Sequence, residues 1–384
     1  MAAIPRLVIG LAIASAIALL DSCGGGGSGA SGDSVLPPPG PPPAWPNALQ
    51  IGQWYEIPNT RMSSLPNEIT GSWSKVSAWN SFVADPRTSK VYSVATGGHT
   101  DYGGNEVDAL ELERSDPQWV EVLARTPDMS VRDCSEYYAD GRPTARHTYY
   151  GVTLDEANNR VMLFGGVWFC GNGIPSLATI DSYKIIANSY NPAGTHPRLP
   201  APFNNWWIIY TANPLTGDVY AMTGGQMGRW NRSSNTFTAN LNPTGSAPNG
   251  AEMMTAFDTT RGRIYGQGGE VPNDNHHLYT LSTNTWTTVT LTGPNAGNVA
   301  SLQKGGMIYV PALDAYLARA AGSGSTVYRI DASTFAVTTL ATMGGASIPQ
   351  TLNGPYNKFL YLPRLRGAVY VPDHDQNVWF LRLH

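Results

Sequence analysis

One phrase recurs along this chain, and it constrains the fold more than any other feature. It is a β-rich run, a turn, a second run ending in Gly-Gly, a loop, a third run with Tyr or Leu, a turn, and a short fourth run with Trp or Phe. Self-similarity at such a period marks a stacked or radial repeat architecture. The clearest copy covers residues 253–257, a turn at 258–262, then 263–269, 278–282, a turn at 283–285, and 286–291. A second runs through 81–84, 91–98, 107–113 and 119–123; a third contains Arg160-Val-Met-Leu-Phe-Gly165-Gly166. A fourth holds Asp218-Val-Tyr-Ala-Met-Thr-Gly224-Gly225, followed by Asn235-Thr-Phe-Thr. The fifth, through 307–310, 316–321, 327–330 and 335–340, has Ala320-Ala321 in place of the glycines.

The sixth copy, at 359–362, 368–371 and 378–383, stops after three strands. An orphan of the right character, Gln53-Trp-Tyr-Glu-Ile57, stands near the start. A ring of sheets protects its edges when an N-terminal strand completes the last sheet, so both ends of the domain are expected in one blade. The chain therefore reads as all-β: a six-bladed β-propeller closed by an N-terminal strand. Seven blades is the alternative, because residues 124–144 are unassigned; they lack β alternation, are rich in Asp, Arg and Pro, and read as an inserted loop.

The Gly-Gly pairs with a downstream Trp resemble the Kelch repeat and the galactose-oxidase-like propellers, over most of residues 53–384. The resemblance is specific for fold and uninformative for function, since such propellers host enzymes, sugar-binding modules and interaction domains. Glycine suits the place, because inner strands converge near the axis and require tight turns and close backbone approach.

Residues 1–22 read as a secretory signal, with Arg6 followed by an uncharged apolar stretch from Leu7 to Leu20, an h-region length rather than a membrane span. Leu20-Asp21-Ser22-Cys23 resembles the bacterial lipobox, Asp21 departing from the usual residue there. That resemblance implies acylation of Cys23, a membrane partner through an N-terminal lipid anchor, and, with Gly24 rather than Asp after it, outer-membrane placement. An ordinary signal peptide cut nearby is the competing reading. Residues 23–50 are a Gly/Ser-rich then Pro-rich tether, and 51–384 the propeller domain. With Cys23 lipidated, Cys134 and Cys170 remain as an even pair in an oxidising compartment, expected as a disulfide against the alternative of two free thiols.

Charged residues are 14% of the chain and the net charge is −4, which argues against nucleic acid, a partner that needs a basic face. A polar, weakly charged, Trp/Tyr-rich composition fits exported all-β proteins that handle sugars. The expected partner is a polysaccharide or glycan, and the expected state a monomer.

In a four-stranded meander, the loop from strand two to three and the link between blades share one face. In the propellers this chain resembles, that face carries the site. The positions falling there include Gly98-His99-Thr100-Asp101-Tyr102 through Glu106, Arg146-His147-Thr148-Tyr149-Tyr150, Trp168-Phe169-Cys170, Asn204-Asn205-Trp206-Trp207, Met227-Gly228-Arg229-Trp230, Glu252, 273–277, Tyr356, Asn357 and His374. If Arg146-His147-Thr148-Tyr149 enters a strand, alternation puts His147 and Tyr149 on one side. A histidine, a tyrosine and an arginine around a pocket suit proton abstraction beside a carboxylate. The expected function is thus a cell-surface polysaccharide lyase acting on uronic-acid-containing glycans by β-elimination. His147 and Tyr149 are its acid/base candidates, Arg146 the carboxylate clamp, and His99 a supporting group. Tyr102, Asn105, Trp168, Trp206, Arg229 and Glu252 are candidates for binding substrate.

The rivals are a non-catalytic glycan- or protein-binding surface lipoprotein, in which these residues hydrogen-bond between blades, and a copper oxidase. Copper needs His99, His147 and a tyrosine, with a cysteine crosslinked to tyrosine that the disulfide would consume. Calcium on Asp101, Asn105 and Glu106 lacks the EF-hand spacing. No cofactor is assigned. Asp101 or Glu106 with Glu252 offers a pair of carboxylates for hydrolysis, and no nucleophile elbow, Walker loop or dinucleotide fingerprint stands out.

Overall fold

The structure, a computed structural model, describes residues 44–98, 101–127, 134–170, 176–206, 208–245, 248, 252–267, 276–300, 302–320 and 323–384. The signal, Cys23, the tether as far as residue 43, His99 and Trp207 lie outside the described residues. The described chain forms six four-stranded antiparallel sheets, the blades of a six-bladed β-propeller. Blade 1 is Val83–Asp85, Lys90–Val94, Val107–Glu111 and Trp119–Leu123. Blade 2 is Val152–Asp155, Arg160–Phe164, Ile180–Lys184 and Ser189–Tyr190. Blade 3 is Ile209–Ala212, Val219–Thr223, Gln226–Asn231 and Thr236–Thr238. Blade 4 is Met254–Asp258, Arg263–Gln267, His276–Thr280 and Thr285–Val289. Blade 5 is Gly306–Val310, Ala315–Arg319, Tyr328–Asp331 and Val337–Thr339.

Blade 6 draws three strands from the C-terminus, Phe359–Leu362, Gly367–Tyr370 and Trp379–Arg382, and its outer strand from Trp54–Glu56. Trp54 pairs with Leu381, Tyr55 with Phe380 and Glu56 with Trp379. The inner strand of each blade lies against those of its two neighbours, blade 6 against blade 1 included, so the ring is closed. Residues Ala44–Asn47, in the tether by sequence, form a short helix whose Trp45 ring sits 5.1 Å from Phe380 and 5.5 Å from Tyr55.

Burial follows distance from the axis. Gly306–Val310, an inner strand, is buried at all five positions, whereas the outer strand Thr285–Val289 buries only Trp286 fully. A strand sandwiched between two neighbouring sheets buries both faces and reads as a continuous apolar run. The core is accordingly divided into layers, one filling each seam. Phe82, Leu110, Trp119 and Phe380 fill the seam of blades 6 and 1; Tyr92, Val107, Val161 and Tyr183 fill that of blades 1 and 2. Phe164, Tyr210 and Trp230 pack between blades 2 and 3, and Tyr265, Met307 and Tyr316 between blades 4 and 5.

The segment 124–144 adds no blade among the described residues. The described parts, 124–127 and 134–144, are tied to blade 1 through Asn105, and Cys134 is disulfide-bonded to Cys170 of blade 2. A disulfide fits an oxidising, extracellular-type compartment. Among the described residues no helix is long and apolar enough to cross a membrane.

Ring closure depends on a single three-residue strand, so a proline in its centre tests the architecture. Tyr55→Pro removes the ladder donor facing Phe380 and is expected to lower stability by about 1–3 kcal/mol. Urea unfolding followed by tryptophan fluorescence reads the loss, which should exceed that of Tyr55→Ala.

Candidate functional site

The inner strands all begin on the face that carries the second-to-third-strand loops, and the residues just before them converge at the mouth of the axis. Four of these residues have left-handed backbone: Tyr149 (φ 47°), Glu252 (φ 63°), Lys304 (φ 54°) and Tyr356 (φ 33°). They precede the inner strands of blades 2, 4, 5 and 6. Side-chain-bearing residues adopt this region at a cost, and such outliers cluster where the surroundings enforce them.

His147 is placed by a seam ribbon. Arg146-His147 pairs with Val167-Trp168 of blade 2, while Arg146 N–H donates to the Ala95 carbonyl and Gly97 N–H to the Arg146 carbonyl on the blade 1 side. This pair is a separate ribbon, not the start of the inner strand, which begins at Val152. Gly98 (φ 87°) and Gly166 (φ 99°) close on it from either side, and a Cβ on either would strike the His147 backbone. The second glycine of the pairs in blades 1 and 2 therefore makes room for His147.

The imidazole Nε2 lies 2.9 Å from Asp101 Oδ2, and the ring stands 5.2 Å from Trp79 and 6.3 Å from Tyr149. Asp101 is held by the turn that its N–H closes onto the Gly98 carbonyl. Tyr149 continues the chain of rings to Trp206 at 6.5 Å and Tyr356 at 5.9 Å. Trp79 and Trp206 are only partly buried, so the wall meets solvent. The Tyr356 hydroxyl donates to Glu252 Oε1 at 2.8 Å, and Lys304 Nζ lies 3.3 Å from Glu252 Oε2. The mouth thus carries a histidine–carboxylate pair, four aromatic rings, a second carboxylate and an ammonium. Burial, then the Glu252 and Asp101 carboxylates, pushes the Tyr149 phenol well above its ordinary range. Burial, with Tyr150 and Glu252, does the same to Tyr356. Both are protonated donors at neutral pH.

Beneath the mouth, Lys358 is wholly buried and donates from Nζ to the Asn80 carbonyl at 2.6 Å and the Gly354 carbonyl at 3.3 Å. Desolvation pulls its pKa down to about 7, with Asp373 opposing.

Of the residues singled out by sequence, His147, Tyr149, Trp206 and Glu252 come together, even though the left-handed Tyr149 breaks the strand alternation expected to align it with His147. The others lie elsewhere. Arg146 is buried in the seam, its Nη2 2.8 Å from Asp181 Oδ2, so it does not face the mouth as a clamp. Trp168 packs with Cys170 and Leu177, and its Nε1 donates to the Cys134 carbonyl. Asn105 staples the 124–144 segment through the Pro143 carbonyl and the Thr126 N–H. Tyr102 is buried, its hydroxyl on Glu106, within a cluster where Lys75 Nζ meets Glu68, Glu106 and Asp108. Arg229 sits on the third strand of blade 3 beside Asp218, at the opposite end of the blade. At the mouth end of that blade Gly224-Gly225, both at positive φ, makes a two-residue turn in place of a loop.

Asp101, Asn105 and Glu106 therefore point to three different partners, and among the described residues no group of three or more His, Cys, Asp or Glu is arranged to hold a metal. Sequence reading missed Trp79, Lys304 and Lys358. Their signal was position, immediately ahead of an inner strand.

The fold and its mouth define a six-bladed β-propeller. No protein-family model matches the chain, and no curated protein matches its sequence. Among solved structures it is similar to YjhT, with a TM-score of 0.51 and 11% identity, over 78% of this chain and 92% of that one. At that identity the likeness concerns the fold.

Lys358 carries a pH prediction. Its folded pKa lies below its unfolded one, so between about 7 and the ordinary lysine value of 10.5 unfolding takes up a proton and stability rises with pH. Below about 7 both states are protonated and the cost is complete. In Lys358→Met this part of the slope should vanish when Tm is followed from pH 7 to 10.5 in parallel with the unmodified protein.

Proposed function

We propose that this protein processes acidic carbohydrate at the cell surface, by β-elimination from a uronic-acid-containing glycan at the mouth of the propeller. The observation that carries the reading is the Asp101–His147 pair set into a wall of Trp79, Tyr149, Trp206 and Tyr356. Aromatic faces suit the apolar faces of sugar rings. A carboxylate on an imidazole nitrogen fixes the tautomer and raises the basicity of the ring.

In this reading His147 takes the proton from the carbon bearing the uronate carboxylate. The electron pair forms the new carbon–carbon double bond as the neighbouring C–O bond breaks. The Tyr149 phenol gives its proton to the departing oxygen. Arg146 is buried against Asp181, so the anion-holding role passes to Lys304, whose half-exposed ammonium has N–H groups beyond the one that faces Glu252. The Kelch-like character rests on the Gly-Gly pairs and their spacing, and the surface location on the signal and on Cys23. The aromatic wall also serves a non-catalytic glycan-binding module, the second reading.

The test is incubation with a panel of uronate polysaccharides, followed by the ultraviolet absorbance of unsaturated products. The lyase reading expects absorbance from at least one polymer, a loss of at least about 100-fold in kcat for His147→Ala, typical of removing a general base, and a smaller loss for Asp101→Asn. Glycan binding that survives in His147→Ala without any absorbance from the unmodified protein leaves the binding module instead. For the anchor, Cys23→Ser is expected to move the protein from the membrane to the soluble fraction on cell fractionation.

A further inference from the structure

Arg319 ends the second strand of blade 5, opposite Gly306, and turns into the seam with blade 6. It is wholly buried. Its guanidinium carbon lies 4.1 Å from the ring centre of Tyr370 and 5.5 Å from that of Trp54, both residues of blade 6. Apart from the Tyr370 hydroxyl beside it, its fork meets no hydrogen-bond partner among the described residues, and the Trp54 indole N–H is buried and unpartnered as well. The Tyr370 hydroxyl is bonded to Thr351 Oγ1 at 2.7 Å. Apolar side chains of the same seam include Ile308, Val310, Leu317, Val327, Ile348 and Phe359.

The other deeply buried long cations are matched. Arg146 meets Asp181, Lys75 meets Glu68 and Asp108, and Lys358 meets two carbonyls. Arg319 stands apart from them. A guanidinium does not shed its proton at any pH a protein survives, so it cannot escape burial by becoming neutral. Stacking on aromatic faces offsets part of the desolvation and leaves most of the in-plane N–H groups unused. What gathers here is a set of donors, five N–H on the fork and one on the indole, with a single phenol oxygen to accept from them, in a largely apolar surround.

We propose that the seam between blades 5 and 6 binds a small inorganic anion of the chloride class, held by the Arg319 fork and the Trp54 N–H. The depth of burial selects a small ion over a sugar acid. Trp54 is the first residue of the strand that closes the ring, so the anion is expected to stabilise closure itself, independently of any chemistry at the mouth.

The experiment uses the full chain in sodium chloride, sodium bromide and sodium gluconate at equal ionic strength. The expected result is a Tm that rises with halide by roughly 2 °C per tenfold concentration above the dissociation constant, and no such rise in gluconate. Crystals soaked in bromide should give an anomalous peak beside Arg319. Arg319→Met should lose the halide dependence; should that variant not fold, the bromide map of the unmodified protein decides alone. Equal Tm in chloride and gluconate, or a bromide map with no peak in the seam, overturns the proposal, as does a site filled by ordered water.

Discussion

Everything in this molecule depends on the pairing of Trp54–Glu56 with Trp379–Leu381. Six sheets around an axis bury their faces against one another, and no sheet buries itself alone. An open ring would expose an unpaired strand edge and two sheet faces at the break. Three residues from one end of the domain remove that exposure, and Trp45 and Phe380 pack over the junction. The strand carries little area of its own. Its effect is multiplied because the seam layers on either side of the break exist only while the ring is closed.

The ring was legible in the sequence because its causes are local and periodic. The Gly-Gly pairs, the truncated sixth repeat and the stray Gln53–Ile57 run were enough to place the closing strand. Inner strands such as Gly306–Val310 gave a plain apolar run, consistent with burial on both faces. Less legible was the behaviour of irregular chain. Arg146-His147 looked like the entry to a strand and is a ribbon bridging two blades. Met227 to Trp230 looked like loop and is strand, because two glycines suffice for the turn before it.

The candidate site was legible by position more than by residue type. Histidine, arginine and tryptophan drew attention wherever they fell on the expected face, yet Arg146 and Trp168 are consumed by the seam and the disulfide. Residue type says what a side chain can do. Which way it turns depends on partners far along the chain, such as Asp181 for Arg146. Trp79 and Lys304, less conspicuous in sequence, reach the mouth because the chain must pass there before each inner strand.

The left-handed residues at that passage have a further consequence. Tyr149, Glu252, Lys304 and Tyr356 leave the regular backbone just before the ladders begin. A side chain in such a place is uncoupled from the in–out alternation that governs the blade behind it. Each blade can therefore exchange the residue it shows at the mouth without shifting the register of its sheet. The propeller in effect offers several independently variable positions around a fixed frame, which lets one ring scaffold accept new ligands by substitution rather than by rebuilding.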